Sequence, residues 1–290
     1  MKITGSNRNG FVLIATLIAI ATVTVLTAGL ARHSLSLAMS ANFHQESLQQ
    51  KWGSASCERF ALTHAIKLLR QPSSENPGEF VPVKSASNVI KLGNMIFEIR
   101  LDDESAKMNT NFVLTHGGPT VLKSMIRKRV TPETQSPIRL RPLDSQNRRL
   151  ITESGLESWK QVFLLTPQAN MNQEIKKLAQ DLTHWGTKLN LVTAPNELAI
   201  QMLQSAIGPI KAKRLMRKHE RDPSQSIDEL LDGLSLREDQ QSLLQNTLAK
   251  RSQCQSVWIS CFNRRGGQMD KQVIQEQVTS SIRRIYAQAW

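Results

Sequence analysis

Between Phe11 and Ala31 the chain carries no charged side chain, with Lys2 and Arg8 before the run and Arg32 and His33 directly after it. At about 1.5 Å per residue, a helix of about 21 residues spans the hydrocarbon of a bilayer. The chain therefore begins in a membrane. How this segment leaves the bilayer, or stays in it, decides most of what the remaining residues can do.

Three readings of the segment differ in its fate. A secretory signal peptide has a shorter apolar core and a small-residue cleavage site, for which Leu26-Thr27-Ala28 is the candidate. A plain anchor fits the length, and the excess of basic residues on the inner side would place Lys2 and Arg8 in the cytoplasm, with Arg32 on the far side weakening that bias. The third reading starts from a polar basic leader that ends in Gly10, with Phe11 opening the helix without a break. Gly10-Phe11-Val12-Leu13-Ile14 resembles the type IV prepilin signal. That resemblance implies a prepilin peptidase that cuts after Gly10 and methylates the amine of Phe11. The apolar helix is then kept, first as an anchor and later as part of a filament core.

One position departs from the usual prepilin pattern. Most pilins carry Glu at the fifth mature residue, and here that residue is Ala15. A charge in lipid costs about 2.5–3.5 kcal/mol or more unless it is matched. The Glu is retained for the amine of a subunit ahead of it, so a subunit with nothing ahead has no use for the charge. Among pseudopilins its absence marks the tip subunit.

The rest of the chain is long enough for one large domain or two small ones. The formal net charge of +13 fits nucleic acid, an anionic membrane surface, an acidic partner, or a solvated basic surface with no ligand. The three cysteines, Cys57, Cys254 and Cys261, form no Cys-x-x-Cys pair and lack histidines at zinc spacing. Their disulfide state stays open: Cys254 and Cys261 would lie about 23 Å apart in a continuous strand, beyond the reach of a disulfide. No Gly-x-Ser-x-Gly, His-Glu-x-x-His or phosphate-cradling loop occurs, so no enzyme is expected. His116-Gly117-Gly118 reads as a histidine in a turn, and His33, His44, His64, His184 and His219 read as surface or packed residues on helical stretches.

Apolar residues recur at threes and fours from Leu35 to Leu69, which predicts a helix running out of the membrane segment, with Gly53 permitting a break. Gln71 to Gly78 is a loop by its turn residues. Met95 to Leu101 alternates as a half-buried strand and runs into Asp102-Asp103-Glu104-Ser105-Ala106-Lys107-Met108-Asn109-Thr110-Asn111. The oxygens of Asp102, Asp103, Glu104, Asn109 and Asn111 can ligate a hard cation such as calcium. The EF-hand spacing is missing, and a solvated loop is the expected environment. A basic, proline-interrupted region follows to Arg149, read as a helix from Val121 to Arg129 and then an irregular linker, with a short apolar patch from Trp159 to Leu165. Pro195 at a first helical turn, the Ile207-Gly208-Pro209 joint and the helix after it form a helix-hairpin-helix shape. Ile227 to Leu231 is a further short helix, and Leu243 to Ala249 is read as one more. Val257 to Phe262 is a strand, Arg264 to Gly267 a turn, and Val273 to Tyr286 is assigned to strands.

Taken in order, these marks resemble the general secretion pathway protein K family, the large minor pseudopilin of type II secretion. The residues that carry the resemblance are Gly10-Phe11 without the Glu, the run from Asp103 to Asn111, and Lys188-Leu189-Asn190-Leu191-Val192-Thr193-Ala194-Pro195 before the helical hairpin. Val192 stands where the family pattern has Asn, and Ala106 where Gly is usual, as in a divergent member. The resemblance implies an α/β (α+β) pilin-like fold. A long N-terminal transmembrane and stem helix packs on a small antiparallel sheet, interrupted by an inserted, mostly helical domain. Mapped here, the leader is 1–10, the transmembrane and stem helix 11–70, the first part of the β region 71–111, the inserted domain 112–250, and the C-terminal strands 251–290. The implied role is to cap the tip of a type II secretion pseudopilus in the bacterial inner membrane, with the bulk of the chain in the periplasm. Capping primes assembly and supports export. The implied partners are the other minor pseudopilins, the major pseudopilin, the prepilin peptidase and the inner-membrane assembly platform. No cofactor is implied beyond the calcium option above.

A different reading comes from the hairpin itself. Such units bind duplex phosphates through hairpin amides and nearby cations. Lys211, Arg214 and Lys218 share one helical face just after the turn. A membrane-tethered DNA-binding protein, part of DNA uptake or of a type IV pilus, would join both signals. The usual Gly-x-Gly is absent, and Pro209 removes an amide donor, so a protein-interaction module is preferred and nucleic acid is not the expected partner.

Overall fold

The computed structural model describes residues 8–73, 78–129, 156, 159, 171–186, 188–262, 268–278 and 281–287. The leader before Arg8, the linker after Arg129, the patch beyond Trp159 and the Arg264 to Gly267 turn lie outside the described residues. Packing divides the chain into two units, 1–53 and 54–290.

Helix α1 runs from Arg8 to Thr63. Gly53 does not break it. In the first unit its apolar residues from Phe11 onward are exposed along every face, as a segment meant for lipid requires. The polar groups inside that stretch are closed within the helix. Thr16 donates to the carbonyls of Val12 and Leu13, Thr22 to those of Ile18 and Ala19, Thr24 to Ile20 and Thr27 to Val23. Hydroxyls satisfied by the preceding turn leave no orphaned donor, the condition a hydrocarbon environment would set.

In the second unit the last turns of α1 bury Cys57, Ala61 and Leu62, and the short α2 (Ala65–Leu68) continues that face with Ala65. Strands β1 (Arg70–Pro72) and β2 (Phe80–Pro82) pair antiparallel. Strands β3 (Ser85–Leu92) and β4 (Met95–Asp103) form a hairpin. Its two-residue turn places Gly93 at a φ of 61°, the positive value that the first position of a II′ turn demands. A 3-10 turn (Glu104–Ala106) and β5 (Met108–Asn109) lead into α3 (Thr110–Arg127). Helix α3 begins well before Val121, because the Asn109 side chain accepts from the Phe112 amide and caps it. His116 therefore lies in a helix rather than a turn, and the turn-like bend sits just before Pro119, at Gly118 with a φ of 78°.

Helix α4 (Met171–Asp181), β6 (Leu182–Thr183), β7 (Leu189–Asn190), α5 (Asn196–Ile207), α6 (Pro209–Arg221), α7 (Ile227–Leu231), α8 (Glu238–Thr247) and β8 (Leu248–Ala249) complete the helical part. Pro195 is the residue before α5 rather than in its first turn, and α8 starts earlier than the Leu243 expected from the pattern. Two short parallel pairs, β5 with β6 and β7 with β8, hold this part together. Strands β9 (Cys254–Phe262), β10 (Gln268–Val278) and β11 (Ser281–Ala287) return to the hairpin and make a sheet of order β11-β10-β9-β4-β3, antiparallel throughout.

Alternation along the sheet explains the two cores. Phe97, Ile99 and Leu101 oppose Cys261, Ile259 and Val257 in register, and this face packs with Cys57, Ala61 and Leu62 of α1. Trp258 points to the other face and joins the core of the helical part, with Leu122, Leu178, Leu203 and Leu215. The expected α+β arrangement, a long N-terminal helix and an antiparallel sheet with helices following β4, is the one observed. Cys57, Cys254 and Cys261 are buried free thiols, the latter two in one strand.

Candidate functional site

The chain offers three candidate sites: the start of α1, the polar run after β4, and the basic face of α6. At the first, Gly10 and Phe11 lie in unbroken helix, and Phe11 and Ala15 are exposed. Helix α1 is long and apolar enough to cross a membrane, and its apolar stretch is not buried by the rest of the protein.

The run from Asp102 to Asn111 is a buried junction, not a solvated loop. Asp102, Asp103, Glu104, Ser105 and Lys107 are each no more than 2% exposed. Hydrophilic sequence misleads here because its carboxylates and its lysine bond to other groups of the protein instead of water. The Lys107 ammonium donates to Asp102 Oδ2 at 2.9 Å and to Glu104 Oε1 at 2.6 Å. Arg100 Nε adds a bond to Asp102 Oδ2 at 3.1 Å, and Ser256 donates to Glu104. Burial alone would lower the Lys107 pKa. The charges and hydrogen bonds of Glu104 and Asp102 reverse this and hold it above the ordinary lysine value.

Asp103 is built differently. Its Oδ1 accepts from the Ser105 amide at 2.9 Å and the Ser252 hydroxyl at 2.7 Å, and its Oδ2 from the Asn190 amide at 3.1 Å and the Thr193 hydroxyl at 2.6 Å. Four neutral donors fill the carboxylate, and they come from three segments. Ser105 Oγ also accepts from the amides of Gln253 and Cys254. Asp103 thus pins the loop before α5 and the loop before β9 to the end of β4.

Asn109 and Asn111 close the far side. Asn109 Nδ2 donates to the Gly186 carbonyl, while Asn111 Nδ2 donates to the carbonyls of Leu156 at 2.9 Å and His184 at 3.2 Å. Thr110 Oγ1 donates to the Thr183 carbonyl at 2.9 Å and stands 2.6 Å from His184 Nδ1. With the hydroxyl proton committed, Nδ1 carries the imidazole proton, and buried Nε2 is left without a partner. Burial pushes the His184 pKa down to about 3, so the ring is neutral at any physiological pH.

The five oxygen-bearing residues considered for calcium are therefore each bonded to other groups of the protein. Asp102 and Glu104 face Lys107, Asp103 faces neutral donors, and both asparagines cap backbone. Among the described residues no three His, Cys, Asp or Glu side chains converge as a metal would require.

On α6 the three cations of the hairpin face part ways. Lys211 Nζ donates to the Ser235 carbonyl at 2.8 Å. Lys218 Nζ donates to the carbonyls of Glu229 and, at 3.0 Å, Asp232, which are the unsatisfied acceptors at the end of α7. Arg214 is exposed. At the hairpin itself Gly208 has a φ of 82°, its amide donates to Gln204, and Pro209 has none to offer. Sequence reasoning located these cations but missed Asn190, Thr193 and Ser252 as partners of Asp103. The one local signal for the junction was a lysine three residues after Glu104 and five after Asp102.

No family model matches the chain. No curated protein matches it by sequence. Among solved structures, a chain of the crystal structure of the GspK-GspI-GspJ complex from the type 2 secretion system of enterotoxigenic Escherichia coli superposes with a TM-score of 0.47 at 16% identity, covering 86% of this chain and 99% of that one.

Proposed function

We propose that this chain is a membrane-anchored minor pseudopilin that caps the tip of a secretion pseudopilus. The observation that carries the reading is the start of α1. Gly10-Phe11 stands in the first turn of a helix that is apolar on all faces from Phe11 onward, closes its threonine hydroxyls, and has Ala15 where most pilins keep Glu. On this reading Gly10 and Phe11 are the cleavage and N-methylation site for the prepilin peptidase. The helix sits in the inner membrane until assembly, and the rest of the chain is periplasmic. The partners are other minor pseudopilins, the major pseudopilin and the assembly platform, and the role is structural, in export across the outer membrane. A sheet joined to a bulky helical part by a buried polar junction suits a terminal position, where nothing has to stack above it.

The test is the mature N-terminus by mass spectrometry of the protein from its native host. A chain starting at methylated Phe11 is the expected result. An intact Met1 would establish a plain anchor, and a start beyond Ala28 ordinary secretion; either overturns the reading. The DNA-binding alternative draws no support from α6, where Lys211 and Lys218 are already engaged by backbone carbonyls.

A further inference from the structure

A cavity of about 660 Å³ opens beside the junction, between α2 and the β1–β2 pair on one side and the loops before α5 and β9 on the other. Its lining includes Arg70, Lys250 and Arg251. Among the described residues lining it, Asp103 is the one carboxylate, and that group is 1% exposed with both oxygens filled by neutral donors. The surface presented to a ligand is therefore basic. Lys250 is held in place by its bond to the Pro223 carbonyl at 2.8 Å, while Arg70 and Arg251 are exposed.

We propose that this cleft binds an acidic peptide segment of a partner protein, with the exposed Arg70 and Arg251 receiving its carboxylates. Three features select a peptide over a bare anion. The volume falls in the range of ligand pockets of roughly 300–1,000 Å³, far more than one phosphate fills. Gln253 and Gln277 offer amides that can both donate to and accept from a peptide backbone. Ile66, Leu69 and Val192 supply apolar wall between the charges. The cleft is also preformed, because Asp103 fixes Asn190, Thr193 and Ser252 along its floor, so little ordering is left to oppose binding. The chain's charge of +13 makes an acidic partner the complementary one.

The experiment uses the full chain in detergent and a fluorescent eight-residue Glu-rich peptide, with a Gln-for-Glu peptide of the same length as its control. Anisotropy should show saturable binding of the acidic peptide, at least tenfold weakened for the Gln peptide and by raised salt. Arg70→Glu with Arg251→Glu should weaken it at least tenfold. Lys213→Glu with Arg217→Glu on exposed α6 should change it less than twofold. Equal loss from both pairs, equal binding of the two peptides, or displacement of the peptide by duplex DNA at lower concentration would overturn the proposal. The peptide comparison needs no variant to fold, and none of these outcomes depends on whether the N-terminus is cut after Gly10.

Discussion

Lys107 Nζ lies 2.6 Å from Glu104 Oε1, and neither side chain has more than 2% of its surface open to solvent. The same ammonium reaches Asp102 at 2.9 Å. One cation thus balances two carboxylates at the point where the sheet ends and the helical part begins, and Arg100 supplies the second positive charge from the strand. A fully paired buried network contributes little net stability over an apolar core, but it tolerates the loss of no member.

Lys107→Met follows directly. It leaves Asp102 and Glu104 facing each other without the ammonium, at a cost of about 3–5 kcal/mol. The expected result is a thermal midpoint lowered by many degrees, measured on the purified chain in detergent. Lys107→Arg keeps the charge but not the shape, and should recover only part of the loss. The sign of the pH effect is set by the raised Lys107 pKa. Its contribution is complete below the ordinary lysine value and is lost only as pH rises through the higher folded value, so Lys107 adds no pH dependence near neutrality.

His184 sets the acid limit instead. Its folded pKa of about 3 lies below the ordinary histidine value of 6.5, so between those values the unfolded chain binds a proton that the folded chain refuses. Stability should fall as pH drops below about 6.5, by about 1.4 kcal/mol per unit for this one group. His184→Gln should flatten that part of the profile. Thermal midpoints of both proteins from pH 7 to pH 4 provide the check, and parallel curves would count against a buried neutral ring.

Gly186 is the position beside that histidine where a side chain has no room. Its φ is 73°, and an added Cβ would come within 3.1 Å of Cys254 Cβ. Its carbonyl also accepts from Asn109. Gly186→Ala combines a left-handed backbone penalty of about 1–2 kcal/mol with that contact. A measurable drop in thermal midpoint is expected, against none for Gly29→Ala, where nothing lies within 4 Å and the backbone is helical.

How far these features could be read beforehand depends on what holds each one. The alternation of Phe97, Ile99 and Leu101 was legible because one apolar face packing on α1 leaves a period-two record in the chain. The hairpin at Gly208-Pro209 was legible because one residue supplies the positive φ and the next starts the helix. The run after β4 was not, because its solvent is other protein. Asn190 and Ser252 reach Asp103 from 87 and 149 residues away, and local composition carries no trace of such partners. The basic cleft was hidden for the same reason, Arg70 lying far in sequence from Lys250 and Arg251.

Ala15→Glu tests the terminal position. The added carboxylate would sit in hydrocarbon at a cost of about 2.5–3.5 kcal/mol unless a neighbouring amine meets it. For a subunit with nothing ahead, the membrane-inserted fraction should fall and recovery with other leader-processed subunits should not rise. Enhanced recovery would instead reveal a subunit above this one and remove the electrostatic argument for the tip.

The basic face of α6 separates structural from ligand roles. Lys218 satisfies the end of α7, so Lys218→Ala should lower stability by about 0.5–1.5 kcal/mol, the value of a net hydrogen bond. Arg214→Ala, on the same face and exposed, should cost nothing measurable. A phosphate-binding face predicts the opposite weighting: both variants would weaken duplex DNA binding by similar factors and reduce its salt dependence, with stability unchanged. Gel shifts and thermal melts on the same two variants decide between these patterns. A stability loss confined to Lys218→Ala, with no DNA shift for the parent chain, is the expected outcome.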